Sequence, residues 1–328
     1  MTRHVRLRSL AKINLDLRVL NQRADGFHEL RTVFQTISLA DTIEIEYEPA
    51  RRTVLQIEDP LAIPDNLVLR ASEAALDAMK VSAHIRFRLK KAIPMGGGLG
   101  GGSSNAAAVL LALPVLAGRG LARNKLTNLG SELGSDVPFF LAGGTALASD
   151  RGTEIHELPE IAEEPILLIC SGLHVATGTA YRALDDRFGG SLTSTALSRK
   201  INGFRRFVRT LGETRSASAA SAFSANDFER VVFGQYPQLK TLSGELRKTA
   251  DAVKMTGSGS ALFGIYGSVA ERDRARKGLE GNRVFRECRV MPAKLVSRRS
   301  YQRLWRKQLA EHLGPSDSIW PPPSRYER

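Results

Sequence analysis

The chain is poor in cysteine. Cys170 and Cys288 are the only two in 328 residues, and they stand far apart, which excludes a disulfide framework and a cysteine-rich zinc site and suggests a reducing compartment. The histidines His4, His28, His84, His156, His174 and His312 show no metal-ligand spacing. The opening residues, Met-Thr-Arg-His-Val-Arg-Leu-Arg, lack the apolar centre of a secretory signal. Long apolar runs are missing as well: Ala92 to Gly118 is uncharged, but its glycines and Pro114 break it up too often for a bilayer span. A cytoplasmic protein with no membrane partner is expected.

Acidic residues are missing from one long region, Ala78 to Ser131. Over the whole chain 47 Lys and Arg outnumber 34 Asp and Glu, giving a net charge of +13. That balance suits nucleic acid, an anionic small substrate in a basic cleft, or a solvated basic surface, since much of the arginine stands late in the chain. A hydrophobic share of 42% with 25% charged residues is ordinary for a soluble globular protein. At this length two domains are expected.

Inside the acid-free region lies Pro94-Met-Gly-Gly-Gly-Leu-Gly-Gly-Gly-Ser-Ser-Asn-Ala-Ala-Ala108. Before it, Ala83, Ile85, Phe87 and Leu89 alternate with His84, Arg86, Arg88 and Lys90, the period of a half-buried strand. After it, Asn105 to Leu113 is rich in alanine and leucine, as a buried helix is, with Ser103 or Ser104 as its expected N-cap. Strand, glycine loop and helix N-terminus bring bare N–H groups and the positive end of a helix dipole to one point, which suits phosphate. No lysine follows the glycines, so this is not a Walker loop. Gly96, Gly98 and Gly101 fit the dinucleotide spacing, but the acid that motif needs about 20 residues on is missing, Leu121 and its neighbours standing there. A linker is a poor reading for glycines framed by a strand and an alanine-rich helix.

The loop resembles the ATP loop of the GHMP kinase superfamily, which includes galactokinase, homoserine kinase and mevalonate kinase. Further segments match in the family's order: Ala11–Leu17, Arg23–Leu30, Asp65–Ala71, Gly134–Phe140, Ala225–Glu229 and Met255–Phe263. The resemblance implies an α+β protein of two domains, the first like domain 2 of ribosomal protein S5 and the second ferredoxin-like, with ATP and substrate in the cleft between them. It implies ATP and Mg2+ as cofactors, and ATP-binding roles for Pro94, Met95, Gly96, Gly97, Gly98, Leu99, Gly100, Gly101, Gly102, Ser103 and Ser104, for Asn66 near the adenine and for Lys91 in the same pocket. Ser104 is the implied magnesium ligand.

Other roles follow residue by residue. Ala11, Ile13, Leu15, Leu17 and Val19 alternate with polar residues, so Lys12 and Asn14 project from one side of a strand, roughly 6–7 Å apart. Without the resemblance that is a solvated polar face; with it, Lys12 is catalytic and Asn14 faces the substrate. Asp136 stands in Gly134-Ser-Asp-Val-Pro-Phe-Phe140, where Pro138 biases Val137 toward extended backbone. A turn aspartate by itself is turn chemistry, but the resemblance makes Asp136 the acid/base. The turn Arg23-Ala-Asp-Gly-Phe-His28 is implied to hold a cytosine, with Phe27 stacking on it and His28 bonding to it. The family often has tyrosine where Phe27 stands; phenylalanine keeps the face and loses the hydroxyl. Tyr181 is the implied second aromatic, and Gly257 and Ser258 belong to a further glycine turn beside ATP and substrate.

The fuller pattern implies phosphorylation of the 2-hydroxyl of a cytidine diphosphate-linked methylerythritol, in non-mevalonate isoprenoid synthesis, by a monomer or homodimer. The rivals are another GHMP small-molecule kinase, of the homoserine or mevalonate type, and an RNA-binding protein without catalysis, against which Lys12 and Asp136 together argue. Prolines and acids from Asp150 to Pro165 mark a boundary, giving an ATP-binding domain over 1–160, a C-terminal domain over 161–296 and a basic tail over 297–328. Leu121 to Leu133 is expected to be an amphipathic helix, and the Ser/Ala-rich run 216–225 a mobile loop.

Overall fold

The structure, a computed structural model, describes residues 1–188, 192–315 and 319–327. Two long strands form the spine of the first domain. β1 (Arg3–Gln22) and β2 (His28–Pro49) pair antiparallel along nearly their whole length. The far half of β2 also pairs with β4 (Ala83–Lys90), which carries β3 (Val54–Glu58) parallel on its other edge. The near half of β2 pairs with β5 (Thr145–Ser149), which pairs with β6 (Glu154–Glu157). Alternation in β4 is as read: Ala83, Ile85, Phe87 and Leu89 are buried and the basic residues face water.

Helices α1 (Leu67–Met79), α2 (Gly101–Ala117), α3 (Arg123–Leu133) and α4 (Val137–Ala142) pack with this sheet into one core. α2 runs through its centre and is buried from Ser104 to Leu116, which is why its sequence has no polar stripe. Its start differs from expectation. The N-cap is Gly100, in the left-handed region and without any side-chain cap bond, while Ser103 and Ser104 lie in the first turn. The first-turn N–H groups are thereby left without a side-chain partner.

The polar face of β1 also differs from a solvated face. Lys12, Asn14 and Asp16 are all buried: the second domain covers Asn14 through Thr256 and Gly257 and Asp16 through Ala225, while Lys12 is enclosed by Leu99, Phe34 and Asp136. The β1–β2 ladder slips in register between Leu10 and Lys12 and again between Asn14 and Asp16. Such irregularities re-aim side chains and are common beside active sites.

The second domain holds β7 (Pro165–Cys170), α5 (Thr177–Phe188), α6 (Ser194–Thr214), α7 (Ala217–Ala220), α8 (Glu229–Gln235), α9 (Pro237–Leu246), β8 (Ala252–Met255), β9 (Leu262–Ile265), α10 (Val269–Glu280) and β10 (Arg289–Lys294). Its sheet runs β10-β7-β9-β8 with every pair antiparallel. In chain order that is 4-1-3-2, a ferredoxin-like arrangement. One buried cluster joins Ile13 and Ile37 of the first domain to Ile166, Phe207 and Phe263 of the second.

Two stretches depart from the sequence reading. The Ser/Ala-rich run forms α7 and a 3-10 turn at Ser221–Phe223. Its alanines are small enough to pack: Ala217 and Ala220 are buried, and Glu164 accepts the Ala217 N–H at 2.6 Å and the Ser218 N–H at 3.2 Å. The basic tail, whose placement the sequence left open, packs on the first domain. Past β10 the Val296 N–H donates to Thr36 at 2.9 Å. α11 (Arg298–Leu309) then buries Tyr301, Trp305 and Leu309 in the first domain's core. Farther on, Ser324 donates to the Val115 carbonyl at 2.5 Å. The basic run is amphipathic, and its aromatic side is what docks it. Among the described residues no helix is long and apolar enough to cross a membrane.

Candidate active site

The glycine loop is rigid, not slack. Gly98 and Gly100 have φ of +72° and +68°, a region that side chains with a Cβ avoid. Behind the loop, the Lys12 N–H donates to the Leu99 carbonyl at 3.0 Å, the Thr256 hydroxyl donates to the Gly98 carbonyl at 3.2 Å, and Leu99 is buried. The front of the loop, from Pro94 to Ser103, lines a cavity of about 420 Å³ together with Asn66, Lys91 and Asn105, a volume within the range of small-molecule sites. Uncapped N–H groups at the start of α2 suit an anion there.

Lys91 closes the cavity on the strand side. Its ammonium pairs with the fully buried Asp41, whose other oxygen accepts the N–H groups of Ala92 and Ile93 at 2.8 and 2.9 Å. Asp41 thus fixes the turn from β4 into the loop. Asn66 is the N-cap of α1: its side-chain oxygen accepts the Val68 N–H at 3.0 Å and its amide donates to Asp59 at 3.1 Å. Capping and lining the cavity are compatible. Ser104 is turned into the core, where its hydroxyl donates to the Leu10 carbonyl at 2.7 Å and its exposure is 2%. That leaves Ser103 as the loop hydroxyl lining the cavity, a departure from the expected magnesium ligand.

Lys12 and Asp136, 124 residues apart in sequence, come together. The Lys12 ammonium lies 3.3 Å from the Asp136 carboxylate. It donates to the Asn14 side-chain oxygen at 2.9 Å and stands over the Phe34 ring at 4.9 Å. Lys12 is 4% exposed at its side chain and Asp136 31%, so the pair has a dry side and an open side. Asp136 occupies the N-cap of α4 with helical backbone angles, ahead of the helix and not inside it; Val137, expected to be extended before Pro138, is instead the first residue of the helix, with the proline in its first turn. Asn14 is the hub between domains: its oxygen also accepts the Gly257 N–H at 2.9 Å, and its amide donates to Thr32 at 2.8 Å. Asn226, without a role in the sequence reading, donates to the carbonyls of Met255 and Gly257 at 2.7 and 2.8 Å and so shapes that glycine turn. The Ser258 hydroxyl lies 3.0 Å from that of Thr177.

Of the aromatic residues expected to hold a substrate, the structure brings His28 and Tyr181 together and leaves Phe27 apart. The His28 and Tyr181 rings stack at 4.7 Å with 20° between planes. Phe27 is 55% exposed beneath the Arg151 guanidinium at 4.8 Å, so no Phe27–Tyr181 sandwich stands ready. Burial pushes the Tyr181 phenol up. His28 Nε2 lies 2.6 Å from the Asp185 carboxylate. Sequence reasoning missed Asp185, although it stands four residues after Tyr181 and therefore on the same face of α5. It also missed Asp41, for which there was no signal, its partners lying 50 residues away.

Comparison with known proteins first gives the class. The family "GHMP kinases N terminal domain" matches residues 66–144 and "GHMP kinases C terminal" matches residues 205–282. A solved homoserine kinase from Cytophaga hutchinsonii superposes with a TM-score of 0.69 over 89% of this chain and 97% of its own, at 16% identity, a likeness of fold alone.

More specific relatives follow. A 4-diphosphocytidyl-2-C-methyl-D-erythritol kinase of Solibacter usitatus is 49% identical over 99% of this chain and 98% of its own length. One from Caldanaerobacter subterraneus is 36% identical over 84% of this chain and 93% of its own. A solved 4-(cytidine 5'-diphospho)-2C-methyl-D-erythritol kinase has a TM-score of 0.71 and 34% identity, covering 88% of this chain and 98% of its own. The chain belongs to the 4-diphosphocytidyl-2-C-methyl-D-erythritol kinase family of GHMP kinases.

Proposed function

We propose that this protein transfers the γ-phosphoryl group of ATP to the 2-hydroxyl of 4-diphosphocytidyl-2-C-methyl-D-erythritol, giving the 2-phosphate and ADP. The step belongs to non-mevalonate isoprenoid precursor synthesis in the cytoplasm. The observation that carries the reading is the Lys12–Asp136 pair, 3.3 Å apart, beside a glycine loop that lines the cavity. The names of the full-length relatives supply the substrate.

Phosphoryl transfer asks for positioning and charge stabilisation more than for covalent chemistry. The loop and the start of α2 hold the phosphates with backbone donors. Asp136 accepts the proton of the attacking hydroxyl, and Lys12 stabilises negative charge on the oxygens in flight. Asn14 fixes the Lys12 ammonium and ties it to the Gly257 turn, so the acceptor and phosphate sides are positioned together. His28 and Tyr181 face the cytosine. Among the described residues no group of three His, Cys, Asp or Glu forms a metal cage. Magnesium, when bound, neutralises phosphate charge and is held chiefly by the nucleotide's own oxygens, with Ser103 as the nearby hydroxyl.

The test is ADP release from a panel of alcohols, with the product phosphate located by phosphorus NMR. Diphosphocytidyl-methylerythritol is expected to be the accepted substrate. Asp136→Asn is expected to lower turnover by ~10²–10⁴-fold while nucleotide binding survives; near-normal turnover by that variant would falsify the assignment.

A further inference from the structure

The C-terminal segment, which the kinase reading leaves without a role, reaches the far end of the short helix that Asp136 caps. α4 is only six residues long and has Asp136 as its N-cap. Helices this short are marginal by themselves, and their last carbonyls have no partner within the helix. Here three consecutive carbonyls are satisfied. That of Phe139 accepts the Gly143 N–H at 2.9 Å, that of Phe140 the Tyr301 hydroxyl at 2.5 Å, and that of Leu141 the Trp320 indole N–H at 2.8 Å. Two of the three donors are side chains that follow the second domain. Burial pushes the Tyr301 phenol up, so it remains a donor.

The fit around these donors is tight. A Cβ at Gly143 would stand 2.3 Å from the Tyr301 ring. The Tyr301 and Trp320 rings meet edge to face at 6.5 Å, and Arg306 holds the neighbouring Ile319 carbonyl at 2.6 Å. On its other side α4 touches the chemistry. A Cβ at Gly100 would lie 2.9 Å from the Phe140 ring and 3.1 Å from Lys12 Cγ, so the ring, the glycine loop and the lysine stem share one contact. A shift of α4 therefore moves Asp136 against both Lys12 and the loop.

We propose that Tyr301 and Trp320 are positioning residues for phosphoryl transfer, holding the end of α4 so that Asp136 stays in register with Lys12 and the glycine loop. Neither residue lies within the two matched family segments, 66–144 and 205–282. The inference rests on the kinase reading only through the catalytic role of Asp136.

The experiment compares Trp320→Phe and Tyr301→Phe, each of which keeps a ring and loses a donor, with Ser324→Ala, which removes the tail's bond to Val115 and leaves the α4 carbonyls alone. One hydrogen bond of ordinary strength corresponds to a fall in kcat of about three- to tenfold in the first two variants, with KM for ATP and for the acceptor unchanged. Ser324→Ala should lose melting temperature and keep kcat. In the Asp136→Asn background the loss from Trp320→Phe should vanish, because there is no longer a base to position. Unchanged kcat in both ring variants, or a loss that persists undiminished in the Asp136→Asn background, overturns the proposal and leaves the tail a stability strap. If Asp136→Asn itself keeps full turnover, the role of Asp136 as base falls together with this proposal while the kinase activity stands; if it loses turnover and the ring variants do not, only this proposal falls.

Discussion

Gly98 rests directly on the Thr256 carbonyl: a Cβ at Gly98 would stand 2.3 Å from that oxygen and 3.3 Å from Gly257 Cα. The glycine loop of one domain and the glycine turn of the other thus meet backbone to backbone, an approach that only glycine permits. The φ of +72° adds conformational strain for any other residue. Gly98→Ala is expected to raise KM for ATP by more than about tenfold, since ~1–2 kcal/mol of backbone strain adds to a contact that neither side can relieve by rotating a side chain. Gly212, in α6, has nothing within 4 Å of its Cβ position; Gly212→Ala should leave kinetics alone and stabilise the fold by up to ~1 kcal/mol. Steady-state kinetics and melting curves of the two variants check both statements.

Asp185 is expected to act on acceptor binding and not on ATP. A carboxylate can only accept, so at 2.6 Å it fixes the hydrogen on His28 Nε2 and leaves Nδ1 free to serve as an acceptor. It also holds the ring in its stack on Tyr181. Asp185→Asn can turn its amide N–H toward the imidazole and favour the other tautomer. KM for the cytidine substrate should rise about tenfold, the size expected for losing a charge-assisted hydrogen bond, with KM for ATP unchanged. Equal rises in both constants would show a domain-wide disturbance instead.

Most of the glycine-loop side of the cavity was legible in the sequence. Gly98 and Gly100 stood in a run that only a tight backbone approach explains, and the alternation in β4 placed the loop after a strand. Lys12 and Asn14 were legible as neighbours on one strand face. The burial of Asn14 was not, because what covers it, the Thr256–Gly257 turn, lies more than 240 residues away. The same limit applies to Asp41, which joins Lys91 and two N–H groups across a sheet. The run 216–225 was misread because small residues signal either flexibility or close packing, and Glu164 decides for packing. In the tail, the arginines drew attention to charge while Tyr301 and Trp305 carried the structural information at helical spacing. Phe27 matched a motif, yet its ring lies under Arg151 and away from Tyr181, which spacing alone cannot show.

The polar face of β1 also makes a pH dependence. Asp16, 1% exposed, accepts Arg18 through both oxygens and the Ala225 N–H at 2.7 Å. Asp227 and Lys200, paired at 2.6 Å, stand nearby. Burial pushes the Asp16 carboxyl up from 3.8 to about 6, against the pull of Arg18 and the Ala225 N–H and with a further push from Asp227. The folded chain therefore keeps a proton that the unfolded chain releases between those two values. The contribution of this group to stability is complete below the unfolded value and is lost as pH rises through about 6. Asp16→Asn cannot titrate, so the melting temperature of the unmutated protein should decline relative to that of the variant as pH rises across this window, at constant ionic strength. The absolute offset between them includes the Arg18 bonds that the amide cannot reproduce, so the slope is the quantity to read. If the unmutated protein instead gains on Asp16→Asn with rising pH, the attraction of Arg18 outweighs the cost of burying the carboxylate, and the ion pair is a net support of the charged form.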